Sequence, residues 1–246
     1  MKWLCLVLCL LLPGVADAQS INIDLGAAGQ AGATGRLVQL TALVTILSLA
    51  PSILVMVTAF TRIVIVLSLL RGALSAQGTP PNIVLIGLAL FLSAFVMQPT
   101  LEQAWLTGIQ PMVEGQIAEI EGFRLAAAPF HHFMVANLRI EDLNLFLDLM
   151  HRPEAAASVQ DVDQAPWHAV IPAFLIGELR RGFEMGFLLF LPFLVIDLVV
   201  ASVLMSLGMM MLPPNVVSLP FKLIFFVLVD GWRLVAGALV RSFISG

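Results

Sequence analysis

Arg62, Glu178, Arg180, Arg181, Glu184, Asp197, Lys222, Asp230 and Arg233 all stand in stretches that are otherwise apolar. An ionisable group at membrane depth costs a few kcal/mol or more unless it is paired or wetted. Each is therefore a candidate either for handling ions and protons or for a salt bridge that joins helices. Spacing helps to separate the two roles. Glu178 and Arg181 are three residues apart, Arg180 and Glu184 four, and Asp230 and Arg233 three, intervals at which opposite charges meet on one helix. Asp197 has no opposite charge within four residues and needs a partner from another segment. At about 1.5 Å per residue from the two Pro-Pro-Asn turns, Arg62 lies roughly 13 Å deep, Asp197 roughly 15 Å and Lys222 roughly 9 Å. Arg62 and Lys222 are thus the cations able to meet Asp197.

Catalytic and metal chemistry find less support. Phosphate-cradling loops, dinucleotide fingerprints, His-Glu-x-x-His and Gly-x-Ser-x-Gly are all absent from the sequence. His131, His132, His151 and His168 fall in the polar middle of the chain and never at the i,i+3 or i,i+4 spacing of a helical metal pair. No metal or other cofactor is expected. An intramembrane enzyme would need a histidine or a carboxylate pair at depth. The apolar runs hold no histidine, and Asp197 and Asp230 lie in no catalytic motif. Met209, Met210 and Met211 form the remaining signal, placed just before Leu212-Pro213-Pro214-Asn215. Methionine is unbranched and soft, suited to filling a core or to an adaptable surface.

The elements that must position these residues follow from composition. Of 246 residues 60% are apolar and 11% charged, against roughly 25% charged in an ordinary soluble domain. Residues 37–107 carry three charges (Arg62, Arg71, Glu102) whereas residues 108–168 carry twelve. Two apolar blocks thus flank a polar insert. With 12 Lys plus Arg against 16 Asp plus Glu there is no basic patch of the kind that binds nucleic acid. At the N-terminus Lys2, the apolar run Trp3 to Leu12, the breaker Pro13-Gly14 and Ala16-Asp17-Ala18 predict a signal peptide over 1–18 cleaved after Ala18. Cys5 and Cys9 lie inside it, so the mature chain would carry no disulfide and no thiolate-bound metal.

After a flexible segment at 19–36, the apolar run Leu37 to Leu70 predicts roughly 50 Å of helix, bent near Pro51. Ile83 to Leu106 is a span of ordinary length, joined to the first through Thr79-Pro80-Pro81-Asn82, and the hairpin covers 37–107. A third run from about Ala169 to Leu207, with Pro172 and Pro192 inside it, and a fourth from about Val216 to Val240 make a second hairpin within 169–246. The turns Pro80-Pro81-Asn82 and Pro213-Pro214-Asn215 echo each other. The insert and linker over 108–168 predict short amphipathic helices at Pro111–Ala128, Pro129–Leu138 and Ile140–His151, the last with Ile140, Leu143, Phe146, Leu147 and Met150 on one stripe. The chain is expected to be all-α: two long kinked hairpins around a helical insert.

The second hairpin carries a long ordered series: Ile171-Pro172-Ala173-Phe174, Phe190-Leu191-Pro192-Phe193, Ile196-Asp197-Leu198-Val199, Gly208-Met209-Met210-Met211-Leu212, Ser218-Leu219-Pro220-Phe221-Lys222 and Val229-Asp230-Gly231-Trp232. With Phe60-Thr61-Arg62-Ile63 and Gly87-Leu88-Ala89-Leu90-Phe91, this resembles the FliP/SctR family of type III secretion export-gate subunits over roughly residues 40 to 246. The chain departs from the family pattern at Asn137-Leu138-Arg139-Ile140, where Gln-Thr-Arg-Glu is usual, and at Gly177, where Ser is usual.

The resemblance implies a homo-pentamer that joins FliQ, FliR and other flagellar export components in a helical ring. That ring would stand in the bacterial inner membrane and flagellar basal body, much of it on the periplasmic side. It would pass unfolded proteins, with Met209, Met210 and Met211 as a pore gasket. Leu212-Pro213-Pro214 favours flagellar members over virulence injectisomes, which remain the alternative within the family. Outside it, the alternative is a small-solute or proton-coupled transporter with a relay of Asp197, Glu178 and Arg62.

Overall fold

The computed structural model describes residues 40–41, 44–45, 48–49, 52–53, 55–75, 78–150, 164–209 and 211–244. The expected signal peptide, the segment 19–36, the expected bend at Pro51, Met210 and most of the linker after His151 lie outside the described residues. The chain divides into two units, Met1–Ala50 and Pro51–Gly246. In the first, described residues are helical, and the Thr45 and Ser48 hydroxyls donate to the carbonyls of Thr41 and Val44 at 2.8 Å.

The second unit is all-α, and no strand occurs among the described residues. Its helices are α1 (Phe60–Ala73), α2 (Asn82–Ala104), a π-helical turn (Trp105–Ile109), α3 (Gln110–Val113), α4 (Glu119–Asn137), α5 (Ile140–Leu149), α6 (Trp167–Ser206), α7 (Pro214–Leu228) and α8 (Gly231–Ile244). Two prolines stand between each pair of hairpin helices: Pro81 is the N-cap of α2, and Pro213 and Pro214 are the N-cap and first residue of α7. Proline suits both places because the first amides of a helix have no intrahelical acceptor.

α1 and α6 run parallel in close contact. Arg62 lies opposite Glu178, Ile65 against Gly182 and Leu69 against Gly186. A Cβ added at Gly186 would stand 2.3 Å from Leu69 Cδ1, and one at Gly182 3.2 Å from Ile65 Cγ2. The Gly182-x-x-x-Gly186 face therefore lets the two backbones approach, the device by which small residues permit tight helix pairs.

Around this pair α2, α7 and α8 close one core, where Ile63, Leu67 and Leu70 of α1 meet Leu85, Phe193, Phe226 and Leu239. A second core joins Met134 of α4 and Leu143 and Leu147 of α5 to Ala169, Val170 and Phe174 of α6. Phe133 links the cores, edge-on to Phe174 at 5.9 Å and stacked on Phe243 at 6.1 Å. Each such buried side chain contributes about 1.5–3 kcal/mol.

The structure differs from the sequence expectation in three places. The expected helix Pro111–Ala128 is interrupted at 114–118, where Gly115 takes a left-handed φ of 72°, and α4 then runs unbroken through Pro129, since proline removes one bond and the packing of Phe133 on both cores and of Met134 on the second holds the register. α6 is one 40-residue helix that passes through Pro172 and Pro192, as the apolar run from Ala169 to Leu207 implied. The run 216–240 is instead divided, α7 and α8 meeting at 64°, because Asp230 adopts a left-handed φ of 52° that ends α7.

Asn82–Val113 and Trp167–Ser206 are long and apolar enough to cross a membrane, and α7 with α8 would make a third span if the bend lies within one crossing. Only 11% of the most apolar window of α6 is buried within the chain. Its Phe183, Phe187 and Leu188 face outward, so lipid or other protein must cover them. Outside these helices, Arg124 donates twice to Glu121 and holds its carboxyl below the usual range. Arg124 is exposed and Glu121 partly so, and the pair adds little to stability.

Glycine contacts give an ordered stability series. At Gly108 an added Cβ would lie 2.4 Å from the Ala126 backbone nitrogen, whereas at Gly72 nothing lies within 4 Å. Gly108→Ala is expected to lower the thermal midpoint of the detergent-purified chain by the equivalent of about 1–3 kcal/mol. Gly72→Ala should raise it by about 0.5–1 kcal/mol. Equal shifts at the two positions would refute close backbone contact at Gly108.

Candidate functional site

Two fully buried cations, Arg62 and Lys222, organise the bundle. Arg62 reaches from the first turn of α1, where its face also carries Ile63 and Val66 into the core. Its Nε donates to Glu178 Oε2 at 2.9 Å and its Nη2 to Glu178 Oε1. Its Nη1 donates to the Ser242 carbonyl at 3.0 Å and the Ser242 hydroxyl at 2.9 Å, so four of its five N–H groups are engaged. The guanidinium also lies 3.7 Å over the Phe243 ring. α1, α6 and α8 thus meet at one charge.

Lys222 serves the other end of α1. Its Nζ donates to the Ala73 carbonyl and the Ser75 hydroxyl, both at 2.9 Å, and to Asp197 Oδ2 at 2.6 Å, which uses all three of its protons. The ammonium caps the last turn of α1, the pole that favours a cation, while Ser75 takes the left-handed φ of 53° that ends the helix. Asp197 Oδ1 accepts from the buried Ser218 hydroxyl at 2.5 Å. α1, α6 and α7 meet here.

Of the two cations expected within reach of Asp197, the structure pairs Lys222 with it and gives Arg62 to Glu178. The parallel register of α1 and α6 explains this, since Arg62 lies beside residue 178, roughly 28 Å along α6 from Asp197. Glu178 shares the face of Gly182 and turns to α1, so it does not bond Arg181. Arg181 donates to the Asn137 carbonyl at 2.7 Å instead. Arg180–Glu184 at 3.0 Å on α6 and Asp230–Arg233 at 3.8 Å, from the elbow to the first turn of α8, are exposed local pairs. The relay of Asp197, Glu178 and Arg62 is not assembled: the residues fall in two separate, internally closed pairs. Ser218 and Ser242 were not expected. Ser218, four residues before Lys222 on α7, offered a spacing signal; Ser242 offered none.

The turn after α6 has a specific build. Gly208, at φ 72°, lets its own N–H bond the Met205 carbonyl and that of Met209 the Leu204 carbonyl. This is the paired Schellman closure that a left-handed residue allows. The chain leaves the helix at once: Met209 is 47% exposed and Met211 98% exposed. These two methionines are surface, not core filler.

At the junction of α4, α5 and α6, Asn137 Oδ1, Asp142 Oδ2 and Asn144 Oδ1 are buried without a hydrogen-bond donor. Asp142 Oδ2 lies 3.6 Å from where a Cβ at Gly177 would stand. No group of three His, Cys, Asp or Glu side chains suited to a metal occurs among the described residues.

The sequence profile of the FliP family matches residues 43–239. The chain is similar to the flagellar biosynthetic protein FliP of Caulobacter vibrioides, 56% identical over 98% of this chain and 88% of the relative. It is 47% identical to that of Rhizobium meliloti over 95% of both, and 49% identical to that of Bacillus subtilis over 84% of this chain and 91% of the relative.

Removing one partner of the Asp197–Lys222 pair strands the other, so Asp197→Asn and Lys222→Gln should each destabilise the chain, Asp197→Asn the more, by about 3–5 kcal/mol, because it leaves the buried ammonium without a counter-charge. The double variant should fall short of the sum by about 0.5–3 kcal/mol. Additive shifts in chemical denaturation would mean that the two groups do not interact. Gly177→Ser should place a hydroxyl near Asp142 Oδ2 and exceed Gly177→Ala in thermal stability by about 0.5–1.5 kcal/mol, although Ala is the better helix former. Ser falling below Ala would show that no bond forms.

Proposed function

The chain belongs to the FliP family, and from that premise we propose that it is an export-gate subunit of the flagellar type III secretion apparatus in the bacterial inner membrane. Several copies, five by resemblance, assemble with FliQ and FliR into a ring whose axis passes unfolded flagellar proteins. Other components of the export apparatus deliver those substrates. The flagellar names of the relatives favour this over a virulence injectisome.

The observation that carries the gate is the placement of the methionines. Met211 is almost wholly exposed on the turn between α6 and α7, directly after the glycine closure that ends α6. Unbranched thioether side chains have no rigid shape to match, so they can close against one another at rest and yield around any polypeptide sequence. Leu or Val in those places would seal with a fixed shape and admit fewer chains. The outward apolar faces of α6 and α7 supply what a ring needs around such a seal. Among them is a groove of about 480 Å³ lined by residues such as Val199, Val203, Val217 and Phe221.

Replacing Met209, Met210 and Met211 together by Ala should leave assembly largely intact, as read by the size of the purified complex. Resting cells should then leak ions or small dyes. An unchanged leak from a normally assembled complex would assign the run a merely structural role.

A further inference from the structure

Beneath the 64° elbow between α7 and α8 lies an apolar cavity of about 230 Å³. Leu70 of α1, Phe193 of α6, Phe226 of α7 and Val235 of α8 line its buried floor, and the exposed Val229 and Leu234 line its rim. Every residue around it is apolar, so no hydrogen-bonding side chain reaches in. Aromatic rings make up much of the wall. Phe193 stands edge-on to Phe225, with centroids 6.0 Å apart, and tilted to Phe226 at 6.2 Å. Phe226 does not collapse into the space. Its ring occupies the place of the side chain that Gly231 lacks, Cε2 lying 2.1 Å from where that Cβ would be, and Trp232 braces it edge-on at 5.2 Å.

We propose that this cavity binds a small uncharged molecule built on a single aromatic ring. Size sets one bound. A dry apolar cavity of about 150 Å³ takes up benzene, so 230 Å³ holds one ring with a short substituent. Chemistry sets the other. A charged or hydrogen-bonding ligand would lose its hydration there with no partner in return, and water finds none of the polar contacts that hold it in an interior. Lining atoms that face empty space lack dispersion partners, which an apolar occupant supplies. Among apolar occupants a ring is favoured, because Phe193, Phe225 and Phe226 already stand at angles that let another ring join them edge to face. The exposed rim lets such a molecule enter from the apolar surroundings of the helices. Since α7 carries Lys222 and α8 carries Ser242, an occupant wedged between them would hold the elbow angle and tie the two charge nodes together. The site lies within a single chain and requires no assembly.

The test uses the full chain in detergent with Trp232 as its single tryptophan, through Trp3→Phe, Trp105→Phe and Trp167→Phe, and bromobenzene as the probe. A bromine beside Phe226 quenches the neighbouring indole. Partition into the micelle quenches in proportion to concentration, whereas a bound site saturates. A saturating component should appear, and toluene should displace it at a concentration at least five-fold lower than cyclohexane does. Val229→Phe and Leu234→Phe fill the cavity from its exposed rim. Each should remove the saturating component in a chain whose thermal midpoint is unchanged or raised, and Arg124→Gln, on α4 away from the elbow, should keep it. Strictly proportional quenching, or a saturating component undiminished in both rim variants, would overturn the proposal. Equal displacement by cyclohexane would overturn it in favour of a site for acyl chains. Saturation in the monomer but none in the assembled oligomer would overturn it in favour of a side chain from a second copy.

Discussion

The bundle depends on what two buried cations require. Arg62 and Lys222 sit in an interior otherwise made of Ile, Leu, Val and Phe, where an uncompensated charge is strongly unfavourable. Their donors must therefore be matched, and the matching groups come from different helices: Glu178 and Ser242 for one, Asp197, Ser75 and the end of α1 for the other. Hydrophobic burial is non-directional and would tolerate sliding of α1 along α6. The two charge nodes do not tolerate it, because a shift of one turn would strand four ionised groups. Setting the register of α1 on α6 is thus the use that the geometry gives these pairs, in line with the best-attested role of buried polar contacts.

That registry works only because the backbones come close. Gly182 and Gly186 remove the side chains that would hold α1 away from α6, and Ile65 and Leu69 fill the space. Gly108 does the same where the π-helical turn meets α4. Charge fixes the sliding coordinate and glycine fixes the separation. Neither alone determines the pair: glycine without the ion pairs leaves register open, and ion pairs at a wider separation would not be sheltered from solvent.

How much of this was legible beforehand depends on the range of each interaction. The all-α class and both Pro-Pro turns follow from apolar runs and local backbone chemistry, which a sequence displays directly. The same is true of Arg180 with Glu184 and Asp230 with Arg233, whose spacing fixes their contact. Lys222 was one of two cations for Asp197, since depth along a helix is countable but azimuth is not. Glu178 misled because Arg181 at i+3 offered a local partner, while the face shared with Gly182 turned the carboxylate toward α1. The bend at Asp230 and the continuity of α4 through Pro129 were hidden for the same reason: both are set by tertiary packing against a local preference.

The charge nodes and the methionine turn mark opposite mechanical demands within one hairpin. Asp197 of α6 is locked through Lys222 and Ser218 to α7 and to the end of α1, so the helices flanking the turn cannot drift independently. Beyond Gly208 the chain is released from helical geometry within a single residue, and what it presents there is the least shape-specific of apolar side chains. In the proposed gate a soft element would close reliably only if its base is fixed, because the exposed methionines are then positioned by their own rotamers and not by motion of the helices beneath. The cost of burying Lys222 is accordingly borne within the hairpin that carries the turn, where rigidity of the support matters most.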